Sequence, residues 1–134
     1  MDSEYSMGYQ LTMELLREQK QFTAIAGQND MMAIGAIDAL EKSRIRVPKD
    51  VSVIGCDDIF YSSIRRISLT TIDHFVALKG RDACDIIIRK ITTNDQFYTG
   101  LQPTSLYNIE YTPKLIARKT TTYAKTSGIS KPVK

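Results

Sequence analysis

Hydrophobic positions recur along this chain with two different periods, and the alternation of the two predicts its elements. Met7, Leu11, Leu15 and Glu18 share one side of a helical wheel, and Leu16 widens the apolar stripe. A helix is therefore predicted over Met7–Glu18. Gln19-Lys20-Gln21 breaks that pattern, and Phe22–Gly27 reads as a short buried strand. Asn29 or Asp30 suits the N-cap of a second helix, which runs to about Ser43 and is apolar nearly all round in its first turns. Pro48 fixes its own φ and pushes Val47 out of the helical region, so Arg46–Asp50 is a turn. Val51–Gly55 is the best strand, β-branched and apolar on both faces as a central parallel strand is. Ile59–Arg66 fits a short helix or a turn, and Leu69–Ile72 a short strand. Val76, Gly80, Ala83, Ile87 and Ile91 recur at helical spacing over His74–Ile91. Thr92–Gln96 reads as a polar loop, and the alternating Tyr107–Tyr111 predicts a last strand.

Strands alternating with helices place the chain in the α/β class, as a parallel sheet flanked by helices. Three or four strands are legible and none precedes the first helix, so the layer reads as incomplete.

Composition narrows the picture. Of 134 residues 43% are apolar and 25% charged, a globular balance. No apolar run approaches the ~20 residues of a membrane span, and the acidic start Met1-Asp2-Ser3-Glu4 is unlike a signal peptide. Cys56 and Cys84 form no CxxC pair, which argues against a zinc site or disulfide framework and for a reducing, cytoplasmic home. The net charge of +3 is unevenly distributed. Five basic residues and no acid lie in 118–134, leaving 13 basic against 15 acidic residues, a net −2, in 1–117. The basicity reads as a flexible, solvated tail rather than an ordered nucleic-acid surface.

In an open parallel sheet, ligands bind beyond the carboxyl ends of the strands. One predicted strand ends in Gly27-Gln28-Asn29-Asp30, the next in Cys56-Asp57-Asp58, and a third crossing brings His74 towards the same edge. Amide and carboxylate groups there suit a polyhydroxylated ligand held by directional hydrogen bonds. Each residue also has a plainer use: Asn29 and Asp30 as helix caps, Asp57-Asp58 as a turn, His74 as a helix start. A Cys56–His74 nucleophile and base lacks a positioned third group. A magnesium site on the Asp pair stays open. No glycine-rich phosphate loop or HExxH pattern occurs, and no cofactor is expected.

Taken in order, several segments resemble the lac repressor/gal repressor (LacI/GalR) family of bacterial transcription regulators, in the C-terminal part of the effector domain. They are Gly8-Tyr9, Thr23–Ile25, Asn29–Ala36, the run Arg46–Asp58 (RVPKDVSVIGCDD), Leu69–Ile72 (LTTI) and Pro113–Thr120. Order and spacing agree from about Ser6 to Thr121. The resemblance implies a periplasmic-binding-protein-like domain of two α/β lobes closing over a small effector, commonly a sugar or a purine. It implies a homodimer and, through helix-turn-helix heads, operator DNA as partner. It places ligand contacts on Asn29, Asp57 and His74. The family often has glutamine at the last position, and Cys56 stands where an aromatic residue is usual.

The resemblance covers part of such a regulator, with no helix-turn-helix among these residues. It assigns 1–73 to the C-terminal lobe, 74–112 (a helix and a strand) to the N-terminal lobe, 113–121 to the C-terminal lobe again, and leaves 122–134 as the basic tail. It also places the helix after Asn29-Asp30 and the segment after Asp57-Asp58 near the dimer interface. The apolar face Val76, Ala83, Ile87, Ile91 would lack its native sheet and would fold back or pair with a second copy. The expected function is the effector-binding and dimerisation part of a sugar-responsive repressor, not an enzyme. An exported sugar-binding protein of the same fold is the alternative. A magnesium-dependent receiver-like domain using Asp30, Asp57 and Thr70 is more remote.

Overall fold

The computed structural model describes residues 3–92 and 109–123. These residues form α1 (Glu4–Arg17), β1 (Ala24–Ala26), α2 (Asp30–Lys42), β2 (Ser52–Ile54), α3 (Phe60–Ser63), β3 (Thr71–Asp73), α4 (Val76–Thr92) and β4 (Lys114–Ile116). The chain divides into two compact units, Met1–Asp73 with Lys114–Lys134, and His74–Pro113.

In the first unit β1 and β2 pair in parallel, with Ile25 opposite Val53. β3 and β4 pair antiparallel, with Ile72 opposite Leu115. A single parallel bridge, Ile54 to Thr70, joins the two pairs. The strand order is therefore β1-β2-β3-β4, α/β as expected, with an antiparallel strand added at one edge.

β2 and β3 meet so briefly because Arg118–Thr122 lies between their starts. The Val53 N–H donates to the Thr120 carbonyl (2.7 Å) and the Lys119 N–H to the Ser68 carbonyl (2.8 Å). The Thr120 hydroxyl donates to the Val53 carbonyl (2.7 Å) and accepts from the Thr70 N–H (2.8 Å). The Thr122 N–H reaches Ser52 Oγ (3.1 Å). Arg118 and Thr122, grouped with the tail on composition, thus belong to the ordered body. Residues 124–134 of the basic tail lie outside the described residues.

The core of this unit is Leu16, Ala33, Leu40, Ile45, Val51, Val53 and Leu69, with Phe22, Ile25, Ile34 and Ile37 packed against it. α1 begins earlier than its apolar pattern suggests, because Ser3 caps it by accepting from the Ser6 N–H. Its buried face also differs. Met7 and Leu11 are 45% and 47% exposed, while Gly8, Thr12 and Leu16 are buried. The cause is close helix contact. A Cβ on Gly8 would sit 2.1 Å from the Met32 carbonyl oxygen, and one on Gly35 2.1 Å from that of Tyr5. Each glycine lies against the backbone of the other helix, Gly8 at Met32 and Gly35 at Tyr5 and Tyr9, which turns the larger residues of α1 outward. Outside the contact, the Tyr5 hydroxyl donates to Asp38 (2.8 Å).

The second unit holds α4, none of whose residues is buried; Val76, Ile87 and Ile91 are all exposed. Tyr111 donates to Asp82 (2.6 Å). The strand predicted at Tyr107–Tyr111 is not formed by its described part: Tyr107 and Asn108 lie outside the described residues, and Ile109–Tyr111 make no ladder. The strand comes later, at Lys114–Ile116, where β3 offers a partner edge. Alternation alone marks a segment able to form a strand; the ladder forms only beside a free edge.

Candidate functional site

The site is built from successive strand tips at one end of the parallel pair. The Gly27 N–H donates to the Ile54 carbonyl (2.8 Å), the Asp30 N–H to that of Cys56 (2.8 Å), and the Asp57 N–H to that of Ile72 (2.9 Å). These bonds stitch the tips of β1, β2 and β3 in sequence. Asn29 and Asp57 each neighbour a bonded residue, so both stand at this end, half-buried. His74 directly follows β3 and opens the second unit. There it is half-buried, with Lys79 Nζ 3.4 Å from its Nδ1.

Asn29 is the N-cap of α2: its Oδ1 accepts the Met32 N–H at 2.9 Å. The capping and ligand roles are compatible, because the cap uses only the oxygen. The Nδ2 group has no hydrogen bond among the described residues and can donate to a ligand oxygen. Asp57 has φ 116° and Asp58 φ 50°, the left-handed side that non-glycine residues rarely occupy. The strand-to-turn reading of Asp57-Asp58 is thus correct in kind, but the turn is a strained one.

Sequence reasoning treated Asp30 as a helix cap. It is instead a fully buried carboxylate at the first position of α2. One oxygen accepts from the Ile59 N–H (2.9 Å) and the Ser62 hydroxyl (2.5 Å); the other accepts from the Thr71 hydroxyl. Gly55 is required beside it, since a Cβ there would lie 2.2 Å from Asp30 Oδ1. The available signal was hydroxyl residues where apolar ones were due, at Thr70-Thr71 within an apolar strand.

Asp58 is also committed. Arg118 donates to it at 2.6 Å and to the Leu69 carbonyl at 2.8 Å, with both charged side chains largely shielded from solvent. The Asp pair therefore does not offer two available carboxylates to a magnesium ion. The receiver-like reading loses two of its three residues. Asp30 is buried with its oxygens occupied, and buried Thr70 shares its hydroxyl with the Arg118 N–H (2.9 Å) and Thr121 Oγ1 (3.0 Å). Burial, with the carboxylates of Asp57 and Asp30 nearby, pushes the Cys56 thiol pKa up. That favours the neutral thiol and makes Cys56 a poor nucleophile.

A family model described as a periplasmic binding protein-like domain matches residues 2–121. This chain belongs to the periplasmic-binding-protein-like family. Its relatives are LacI-family transcriptional repressors. It is 43% identical over 112 residues to the HTH-type transcriptional repressor PurR of Haemophilus influenzae strain Rd, covering 84% of this chain and 32% of PurR. Among solved structures it resembles the lac repressor dimer bound to operator and the anti-inducer ONPF. That match has TM-score 0.66 and 37% identity, and covers 85% of this chain and 37% of that one. It also resembles a LacI-family regulator from Arthrobacter sp. FB24 in complex with lactose, with TM-score 0.71 and 25% identity, covering 90% and 43%. The chain spans about a third of the length of the curated relatives it matches. The LacI-type resemblance read from RVPKDVSVIGCDD and LTTI is thus correct, and so is the periplasmic-binding-protein-like fold. Among the described residues no helix is long and apolar enough to cross a membrane.

Proposed function

We propose that this chain is the effector-binding and dimerisation part of a cytoplasmic LacI-family repressor that responds to a sugar and performs no catalysis. The observation that carries this reading is the stitched row of strand tips, which sets an uncommitted Asn29 amide beside the Asp57 turn at one end of the sheet. An amide that donates and a carboxylate that accepts match the alternating needs of sugar hydroxyls. The lactose complex of the Arthrobacter regulator supports the choice of ligand class. For His74, the first residue of the second unit, a ligand contact rests on the family resemblance alone. Contact with operator DNA would come from segments outside these residues.

Isothermal titration with ribose, arabinose, lactose and cellobiose, and with purine bases as the second arm, tests the ligand. A hydrogen bond to a charged group contributes about 1.5–3 kcal/mol. Asp57→Ala is therefore expected to weaken sugar binding roughly ten- to hundredfold. Binding of purines alone, or sugar binding indifferent to Asp57, would remove the sugar assignment.

Dimerisation belongs to the same proposal. Phe60 and Tyr61, on the short helix after Asp57-Asp58, are 78% and 55% exposed, and their rings meet edge to face at 6.0 Å. Exposed adjoining aromatic residues are the composition of an interface centre. The lac repressor dimer supports pairing as the expected assembly. Sedimentation velocity should show mass rising with concentration, and the double variant Phe60→Ala/Tyr61→Ala should need at least about tenfold more protein to associate. A monomer at every concentration overturns the assembly half of the reading.

A further inference from the structure

We propose that Asp30 is the positioning residue of this site: it sets the conformation of the Asp57-Asp58 turn, and so the presentation of the Asp57 carboxylate, while fastening α3 to the same joint. The ligand half of this inference rests on the sugar reading above; the conformational half does not. The two strained residues are tied to Asp30 on both flanks. Before them, the Cys56 carbonyl accepts the Asp30 N–H at 2.8 Å. After them, the Ile59 N–H donates to the Asp30 carboxylate at 2.9 Å. A third tie passes through Thr71, whose hydroxyl donates to Asp30 and accepts from the Asp58 N–H at 3.4 Å. Ser62 brings α3 to the same oxygen as Ile59. Left-handed backbone at non-glycine residues persists only where its surroundings over-determine it, and Asp30 supplies three of those determinants.

A carboxylate is the right group for this position. It is an acceptor only, and all three of its partners donate. The Ile59 N–H cannot reverse its role as a hydroxyl can. Asp30 is also the first residue of α2, where the helix dipole favours negative charge. Asparagine can reproduce most of the geometry: its oxygen takes Ile59 and Ser62, and its amide nitrogen donates to the Thr71 oxygen. Alanine keeps the backbone N–H bond to the Cys56 carbonyl and loses every bond of the carboxylate.

The test uses Cys56, which lies next to the turn and bonds to Asp30, as a reporter of its opening. In a Cys84→Ser background, the rate of Cys56 alkylation by iodoacetamide is measured well below the melting temperature. Asp30→Ala is expected to raise the rate at least tenfold, and Asp30→Asn to return it to within about threefold of the unsubstituted rate. Leu16→Ala, a core change away from the turn, is expected to leave it within twofold. Where Asp30→Ala does not fold, Ser62→Ala removes one tie alone and is expected to accelerate alkylation severalfold. An unchanged rate in the alanine variants overturns the proposal. So does equal acceleration by Leu16→Ala, which would reduce Asp30 to a contributor to global stability. For the sugar that binds the unsubstituted chain, the dissociation constant should rise at least tenfold in Asp30→Ala and recover in Asp30→Asn. Sugar binding unaffected by Asp30→Ala overturns the ligand half. If no sugar binds at all, the proposed function falls, and the alkylation rates still decide the conformational role of Asp30.

Discussion

Gly35→Ala should destabilise the first unit by about 3 kcal/mol, near the upper end of what overpacking a tight core produces. The melting temperature should fall by roughly 10–20 °C. The added methyl would meet the Tyr5 carbonyl oxygen at 2.1 Å and the Tyr9 nitrogen at 2.9 Å. Both are backbone atoms of α1, so no side chain can swing aside, and the helices must separate along Gly8, Thr12 and Leu16. The same substitution at Gly80 should do the opposite. Nothing lies within 4 Å of a Cβ there, and the position is in the second turn of α4. Replacing glycine by alanine in an exposed helix interior stabilises by about 0.5–1 kcal/mol. Thermal melts of the two variants side by side provide the check. Equal effects would mean that helix propensity, not close approach, governs Gly35.

Thr120→Val should destabilise by about 2–4 kcal/mol, although the two side chains have nearly the same shape. Thr120 is buried, and its hydroxyl serves the Val53 carbonyl and the Thr70 N–H together. Valine leaves both of these backbone groups unsatisfied, at about 1–3 kcal/mol for each buried group. Urea denaturation should show a lower midpoint at unchanged slope. Thr120→Ser keeps the hydroxyl and should recover most of the loss. A valine variant as stable as the original would mean that water reaches the space between β2 and β3.

These two cases show which parts of the molecule were legible in its sequence. Period and capping chemistry marked α2, β2 and α4 closely. Asn29 is a strong cap, Val51–Gly55 is an apolar strand, and the isoleucines of α4 recur at helical spacing. The strand tips followed from those, so the sequence already put Asn29 and Asp57 at one end of the sheet. The inward face of α1 was misread, because periodicity rewards large apolar residues, whereas this helix packs through Gly8. The joint at Asp30 was not legible, because its partners Ile59, Ser62 and Thr71 are 29 to 41 residues away. Arg118–Thr122 was assigned partly to the tail, because its charge and hydroxyl groups suit solvent equally well. Only the open backbone groups of β2 and β3 make that segment part of the sheet, and those groups are not visible in a linear reading.

The wedge of Arg118–Thr122 also bears on the order in which the molecule can be made. Val53 and Thr120 are 67 residues apart, and closing so long a loop is entropically expensive and slow. During synthesis, the helical hairpin of α1 and α2 and the β1–β2 ladder can form while translation continues. The seam between β2 and β3 has to wait until the ribosome has released Thr120. Until then the Val53 amide and carbonyl face water or a chaperone, and a nascent chain arrested before that point would expose a raw sheet edge.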